Sequence, residues 1–340
     1  MSVSLAVKYR PQTWDDVTEQ KEIRTILTNQ LNNKKVKNAY LFCGGAGTGK
    51  TTLARIFAAE INHGMGCPIE LDAASNNSVD DVREIIQQAK TKSLDSEYKV
   101  FILDEVHSLS NSAWQAMLKL LEEPPAKSIF IMCTTNPEKI PKTILSRVQR
   151  YQFQRISQQG IFKRLEYIIW QEMAHNIMDV KSEALEYIAK AADGGMRDAI
   201  TMLDKCLAYS EQLTIENVIA ALGLADYDIM FELSRALIKK DSKSVIDIIE
   251  SIYAQGKDLK AFIKTYTNFM LDICKYNITR SYAYIQIPTC YGVETYSTLL
   301  DQGNYLLKAL VQLNEQLRWE TTPKALIESS LLLLCYGEDN

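Results

Sequence analysis

The chain is 340 residues long, more than a single small core requires and enough for two or three compact domains. Hydrophobic residues make up 46% and charged residues 24%, the balance of an ordinary soluble globular protein. A net charge of -4 and a sequence pI ≈ 5.6 exclude a generally basic, histone-like surface. Any contact with nucleic acid must be local, or shared by several subunits around a channel.

The opening stretch, "MSVSLAVKYRPQTWDD", lacks the apolar core of a signal peptide. The longest apolar run, "LIESSLLLLC" near the end, is too short to span a bilayer. Seven cysteines occur (Cys43, Cys67, Cys133, Cys206, Cys274, Cys290 and Cys335), none in a CxxC pair and most inside apolar runs. Reduced, buried thiols in a cytoplasmic protein without a membrane segment are expected, with neither a disulfide framework nor a zinc site.

The first strand candidates are "AYLFCG" (39–44), "PIELD" (68–72) and "KVFILDE" (99–105), followed by "SIFIMCTT" (128–135) and "RYQFQ" (150–154). Short, continuous apolar runs of this kind suit strands buried on both faces of a parallel sheet. Between them lie the helix candidates "KTTLARIFAAEI", "VDDVREIIQQAK" and "SAWQAMLKLLEE", the last stopped by Pro124 and Pro125. The alternation predicts a doubly wound α/β domain over residues 1–154, with helices on both faces of the sheet. After Phe153 the strand signal disappears. Residues 155–223 read as a small helical domain with a glycine turn at "ADGGMRDA", and residues 224–340 read as all-helical. Weak punctuation at "GLADYD" (223–228) marks the second boundary, and Tyr291 to Trp319 reads as one long helical run.

"GGAGTGKT", Gly44 to Thr51, fits G-x-x-x-x-G-K-[ST], and it sits directly after a strand and opens a helix. Gly44, Gly45, Ala46, Gly47, Thr48 and Gly49 let the backbone wrap phosphate oxygens, and the helix N-terminus adds free N–H groups and a positive dipole end. Lys50 is expected to reach the β- and γ-phosphates of ATP and Thr51 to ligate Mg²⁺, with Thr52 beside them among the nucleotide-binding residues. "KVFILDEVH" delivers Asp104 and Glu105 to the carboxyl end of a strand, where such sheets place their ligands. Asp104 suits Mg²⁺, and Glu105 suits general-base activation of the attacking water, which favours an ATPase. "DEVH" also matches a helicase box, but the accompanying helicase motifs are not visible, and His107 reads as a turn residue.

The segments "KYRPQTWDDV", "AYLFCGGAGTGKTTLARIFA", "IELDAASNNSVDDVREI", "KVFILDEVHSLSNSAWQAMLKLLEEPP", "TTNPEKIPKTILSRVQRYQF" and "GGMRDAITMLDK" carry a resemblance to a known family. The chain resembles the gamma/tau subunits of the bacterial DNA polymerase III clamp loader, within the AAA+ ATPases. The likeness is dense over residues 5–205 and faint beyond. It implies an AAA+ nucleotide-binding domain, a helical lid, and a collar domain that packs into a ring with its counterparts. It also implies residue roles. Thr135 matches the sensor that orients water near the γ-phosphate, and Arg197 the sensor that reaches from the lid to the phosphates. Tyr9, Arg10, Pro11 and Val17 match the segment lying against adenine. Arg147 matches the arginine that crosses a subunit interface to the neighbour's γ-phosphate, although here the motif reads Ser146-Arg147-Val148 without its usual cysteine.

Relatives usually carry a four-cysteine zinc module after the phosphate-loop helix. This chain has only "NHGMGCPIELD", in which Cys67 and His63 cannot close a tetrahedral site. No zinc is expected, and the short connection reads as a compact form, divergent or viral.

The resemblance further implies partners: delta-like and delta-prime-like subunits, further copies of the chain itself, a sliding clamp and primer-template DNA. Candidate phosphate contacts are Asn76 and Asn77 in the turn "SNNS", and Ser110, Asn111 and Ser112 in "SLSNS"; each reads equally as a plain helix cap. The function implied is ATP-driven opening and loading of the clamp on primed DNA during replication. The rival readings are another AAA+ remodeller, in branch migration or recombination, and a mainly structural subunit of the same assembly.

Overall fold

Ala39–Cys43 form β1, with all five residues buried. Alternation along this strand sorts its side chains onto two faces, which is why the sheet has a core on each side. Ala39, Leu41 and Cys43 face one cluster and Tyr40 and Phe42 the other. The computed structural model describes residues 3–93, 95–173, 179–222, 227–287 and 291–336.

In chain order, α1 (Leu5–Lys8) and α2 (Lys21–Asn32) precede β1; α3 (Lys50–Ile61), β2 (Ile69–Asp72), α4 (Val79–Lys90), β3 (Lys99–Asp104) and α5 (Asn111–Glu122) follow it. Next come β4 (Ser128–Thr134), α6 (Lys142–Leu145), β5 (Gln149–Gln152), α7 (Gln158–Met173), β6 (Asp179–Val180), α8 (Ser182–Ala191), α9 (Met196–Tyr209) and β7 (Gln212–Leu213). The chain closes with α10 (Ile215–Leu222), α11 (Tyr227–Ile238), α12 (Ser242–Ala254), α13 (Leu259–Thr279), α14 (Ser297–Leu317) and α15 (Pro323–Tyr336). It divides into two compact units, Met1–Asp179 with Ile188–Glu211, and Val180–Tyr187 with Gln212–Asn340.

The first unit is built on a parallel five-stranded sheet of order β2-β3-β4-β1-β5. One face buries Leu41, Phe101, Leu103, Phe130 and Met132 against Val82 and Ile85 of α4 and Trp114, Met117 and Leu120 of α5. Phe101 and Phe130 stack there with centroids 5.1 Å apart. The opposite face buries Tyr40, Phe42, Ile102 and Ile131 against Ile23 and Leu27 of α2 and Leu53 and Phe57 of α3. Every parallel strand therefore ends on the same side of the sheet, and that side carries the chemistry.

The second unit is helical. Phe231 of α11 and Phe269 of α13 meet edge to face at 4.9 Å, and the buried Ser234 hydroxyl lies 2.8 Å from that of Tyr266. Asp258 caps α13 by accepting the Lys260 N–H at 2.8 Å, and Pro323 opens α15, where its missing N–H costs nothing.

The α/β domain with its five strands and the helical remainder match the sequence reading, with three differences. The short strand pair β6 and β7 lies in the stretch read as wholly helical, because two residues a side are too few to show alternation. The run from Tyr291 to Trp319 becomes α14 only at Ser297, since Gly292 takes a left-handed φ of 52° that breaks the helix before it. The N-terminal helices α1 and α2 had no counterpart in the sequence reading. The boundary at "GLADYD" falls on 223–226, outside the described residues. Among the described residues no helix is long and apolar enough to cross a membrane. Cys43, Cys133, Cys206, Cys274 and Cys335 are buried free thiols, and Cys67 is an exposed one.

Candidate active site

The carboxyl ends of β1 and β3 frame a cavity of about 280 Å³. Its lining joins segments distant in sequence: Tyr9 to Pro11 and Val17, the loop Ala46 to Thr52, Asp104 with Glu105, and Arg197 of α9. Gly44 and Gly45 begin that loop, where their carbonyls receive the Lys50 ammonium at 3.0 and 2.8 Å. Lys50 is buried, so the loop backbone holds its charge at the centre of the cradle rather than in solvent. Gly49 has φ +98°, the left-handed geometry that turns the loop into α3. At Gly47 a Cβ would stand 2.9 Å from the Gly195 Cα, and the Gly47 carbonyl accepts the Met196 N–H at 3.0 Å. The loop tip is thereby fastened to the start of α9, which carries Arg197.

The Thr51 hydroxyl donates to Asp104 Oδ2 at 2.7 Å. This hydroxyl–carboxylate pair offers two oxygens on one side of the cradle. That is the donor set for a magnesium ion that keeps most of its waters and shares phosphate oxygens. Among the described residues there is no cluster of three or more His, Cys, Asp or Glu side chains suited to a metal. Glu105 has a left-handed φ of 48°, a conformation costly for a residue with a Cβ and held by its surroundings. Its N–H donates to Asp104 Oδ1 at 3.0 Å. Its carboxylate Oε2 accepts from the Thr135 hydroxyl at 2.9 Å and stands 3.2 Å from His107 Nδ1. Thr135, just beyond β4, therefore meets Glu105 directly. His107 joins them, although the sequence reading left it as a turn residue; no spacing rule signals a partner that depends on the fold.

Arg10 enters the cavity half-buried, and its guanidinium is held below the usual arginine value, first by burial and then by the neighbouring Arg55 and Arg197 charges. That is a concentration of positive charge suited to a polyanion. Tyr9 is fixed from outside: its hydroxyl donates to Glu172 of α7 at 2.5 Å, and its carbonyl accepts from Arg164 at 2.9 Å. Burial, then the Glu172 bond, push the Tyr9 phenol up. Deeper in the sheet, burial pushes the Cys133 thiol up, which keeps it a neutral wall beneath the site.

Arg147 is not brought to this cavity. It follows α6 and lines a separate cleft of about 580 Å³ with Glu122, Pro124 and Val148. Its Nη2 lies 2.7 Å from Glu122 Oε1. Val148 packs against the α4–α5 face of the core, which is the packing place of the residue after the arginine.

The two serine- and asparagine-rich turns lie side by side, joined by the Ser110 N–H on the Asn77 carbonyl at 3.1 Å. They differ in what their helix ends have left to offer. Ser78 and Asp81 form a reciprocal capping box on α4, and Asp80 and Asp81 put acid in its first turn, which opposes an anion. Asn76 spends its amide on the Asp72 carbonyl at 3.0 Å, while Asn77 is exposed. Ser110 caps α5 by accepting the Ala113 N–H at 3.2 Å and meets Ser112 at 3.1 Å. The first turn of α5 has no acid, and Asn111 and Ser112 are exposed.

Comparisons with known proteins place this geometry among relatives. Residues 67–157 match the family described as DNA polymerase III, delta subunit. Residues 160–212 match the DNA polymerase III clamp loader subunit ATPase lid domain, and 213–290 match domain III of DNA polymerase III subunits gamma and tau. The chain is 35% identical to DNA polymerase III subunit tau of Bacillus subtilis, over 96% of this chain and 62% of that protein. It is 34% identical to DNA polymerase III subunit gamma of Buchnera aphidicola, over 79% of this chain and 80% of that protein. The chain thus spans 62% of the length of the Bacillus protein. Among solved structures, the Thermotoga maritima RuvB Holliday junction branch migration motor superposes with a TM-score of 0.52 at 18% identity, over 78% of this chain and 91% of that one. At that identity the likeness concerns the fold alone.

Proposed function

Because the chain belongs to the gamma and tau subunit family of DNA polymerase III, we propose that it is an ATP-driven motor subunit of a sliding-clamp loader. It hydrolyses ATP and uses the cycle to open a ring-shaped clamp and place it on primer-template DNA. The observation that carries this reading is the Thr51 hydroxyl 2.7 Å from Asp104 Oδ2 at the mouth of the phosphate loop, with Glu105 beside it. A mainly structural subunit has no use for that set. A remodeller acting on branched DNA shares the fold but not the gamma and tau resemblance.

The residues present fit ATP with Mg²⁺. Gly44 to Gly49 wrap the phosphates, Lys50 takes the β- and γ-phosphate charge, and Thr51 with Asp104 holds the ion, while Thr52 continues the helix end. Bound Mg²⁺ supplies neutralisation of charge on the phosphate oxygens. Tyr9, Arg10, Pro11 and Val17 form the wall for the base and sugar, and Arg197 reaches the phosphates from α9. Glu105 takes a proton from the attacking water, and Thr135 keeps the carboxylate and water in register. Arg147 serves the site of the adjacent subunit, where its guanidinium stabilises transition-state charge.

The functional division we assign is 1–154 for nucleotide, 155–223 for the lid and 224–340 for a collar. The partners are delta-like and delta-prime-like subunits, further copies of this chain, the clamp and DNA. Asn77, Asn111 and Ser112, the exposed polar residues of the two turns, are the assigned phosphate contacts; Asn76 and Ser110 hold the turns. The test is ATPase activity with and without clamp and primed DNA. Stimulation greatest with both together supports the loader; stimulation by branched DNA alone, indifferent to clamp, points to the remodeller.

A further inference from the structure

His107 stands where the Glu105 carboxylate is held. Glu105 Oε2 receives the Thr135 hydroxyl at 2.9 Å and the Thr135 N–H at 3.3 Å, and His107 Nδ1 stands 3.2 Å from it. The Thr135 hydroxyl alone is a weak restraint, because its single proton has a second acceptor, Asn136 Oδ1, at 3.0 Å, and the Thr135 N–H stands at a longer 3.3 Å. His107 Nδ1 also lies 3.1 Å from Thr134 Oγ1, and that oxygen already accepts the Asn136 N–H at 3.0 Å. A ring nitrogen this close to a carboxylate oxygen is favoured as N–H, with Thr134 Oγ1 as its hydrogen-bond acceptor. A bare lone pair there would confront negative charge. The carboxylate beside it therefore favours a proton on Nδ1, which is bonded to Thr134 Oγ1 and lies against Glu105.

The imidazole is well placed to act as a fixed donor. Its side chain is 16% exposed, and it belongs to a single 3-10 turn, Val106–Ser108. Val106 anchors that turn in the core at 0% exposure, and the Ser108 N–H closes it on the Glu105 carbonyl at 2.9 Å. Among the described residues Glu105 Oε1 has no hydrogen-bond partner, so the donors converge on one oxygen and leave the other open. Glu105 itself lines the cavity that holds Lys50, Thr51 and Asp104.

We propose that His107 is a positioning residue for hydrolysis: its Nδ1–H fixes Glu105 Oε2, so that Oε1 is presented to the cavity as the proton acceptor. The assignment rests on Glu105 being the general base. It requires a donor at the δ position of residue 107, which distinguishes it from a packing role for the ring.

Two substitutions separate the two roles. His107→Phe keeps the ring volume and removes the donor; His107→Asn loses volume but keeps an N–H at the δ position. Single-turnover ATP hydrolysis is measured under the assembly conditions that support wild-type turnover, with ATP affinity determined in parallel. His107→Phe is expected to slow hydrolysis about tenfold or more, the scale of a lost charge-assisted hydrogen bond, with affinity unchanged. His107→Asn is expected to recover most of the rate, and His107→Phe to add nothing in a Glu105→Gln background. A wild-type rate in His107→Phe, or a His107→Asn rate no better than that of His107→Phe, overturns the proposal, as does a further loss on top of Glu105→Gln. If Glu105→Gln itself leaves hydrolysis intact, the base assignment falls; if it abolishes hydrolysis while His107→Phe does not slow it, only the role of His107 falls.

Discussion

Arg147 and Glu122 are bound to one another, Nη2 to Oε1 at 2.7 Å, while Arg147 Nη1 donates to the Thr143 carbonyl at 2.6 Å and lies 3.2 Å from Ser146 Oγ. Glu122 is the last residue of α5, just before Pro124 and Pro125. A carboxylate at a helix C-terminus faces the negative end of the dipole, and the guanidinium offsets that. Both side chains are open to solvent, 34% and 49% exposed, so the pair adds no more than about 1 kcal/mol to stability. What it supplies is aim. The guanidinium is held in one direction by three acceptors of its own chain, and none of them belongs to the cavity containing Lys50.

Lys50→Ala is expected to abolish ATP binding and, with it, clamp loading. The lost ammonium is the buried positive charge at the centre of the loop, held by the Gly44 and Gly45 carbonyls. Titration with a fluorescent ATP analogue checks this, and wild-type affinity in the variant would remove the phosphate site from this loop.

Glu105→Gln is expected to keep affinity for ATP and Mg²⁺, because Thr51 and Asp104 remain. Hydrolysis slows by at least ~10²-fold, the usual scale for a lost general base, and clamp and DNA are held in a long-lived complex. Rapid-quench measurement of hydrolysis decides it: unchanged turnover makes Glu105 a structural carboxylate.

The parts of this site that were legible in the sequence are those whose residues are contiguous. The loop from Gly44 to Thr51 and the pair Asp104–Glu105 carry their chemistry in a few neighbouring positions. The strands that hold them show as apolar runs because both faces of the sheet are covered. Pairs made by the fold were not legible from spacing. Thr135 reaches Glu105 across 30 residues and Arg147 reaches Glu122 across 25, and for Thr135 only the family likeness drew attention to the position. Glu122 and His107 escaped for the same reason: one reads as a helix-end charge and the other as a turn, until β3, β4 and α5 are set side by side. The opening helices were missed because α1 has only four residues and α2 turns Ile26 to solvent, which blurs the apolar stripe.

The protein is expected to fold without zinc. The connection between α3 and β2 contains one thiol, the exposed Cys67, and a closed structural site needs four ligands. Elemental analysis of the purified chain is expected to show no stoichiometric zinc, and a chelator to leave its melting temperature where it was. Tightly held metal, or a chelator-induced drop, would mean that residues from elsewhere complete a site around Cys67 and His63.

The last prediction concerns the direction in which Arg147 works. Because its ion pair with Glu122 adds little to stability, Arg147→Ala is expected to give a folded chain that binds ATP normally at its own loop. The assembled loader is expected to lose most of its clamp- and DNA-stimulated hydrolysis, since arginines supplied to a neighbour's phosphate contribute on the order of 10³-fold or more in rate. Mixed assemblies then give the contact a direction. A Lys50→Ala subunit cannot use ATP itself but keeps an intact Arg147. Placed on the correct side of an Arg147→Ala subunit whose Lys50 is intact, it restores hydrolysis there; placed on the other side, it does not. Steady-state ATPase of such assemblies, with ATP affinity of the isolated Arg147→Ala chain measured alongside, separates the two roles. An arginine acting within its own chain gives no rescue in either arrangement and a weakened affinity in isolation, and that result would make Arg147 a local phosphate contact.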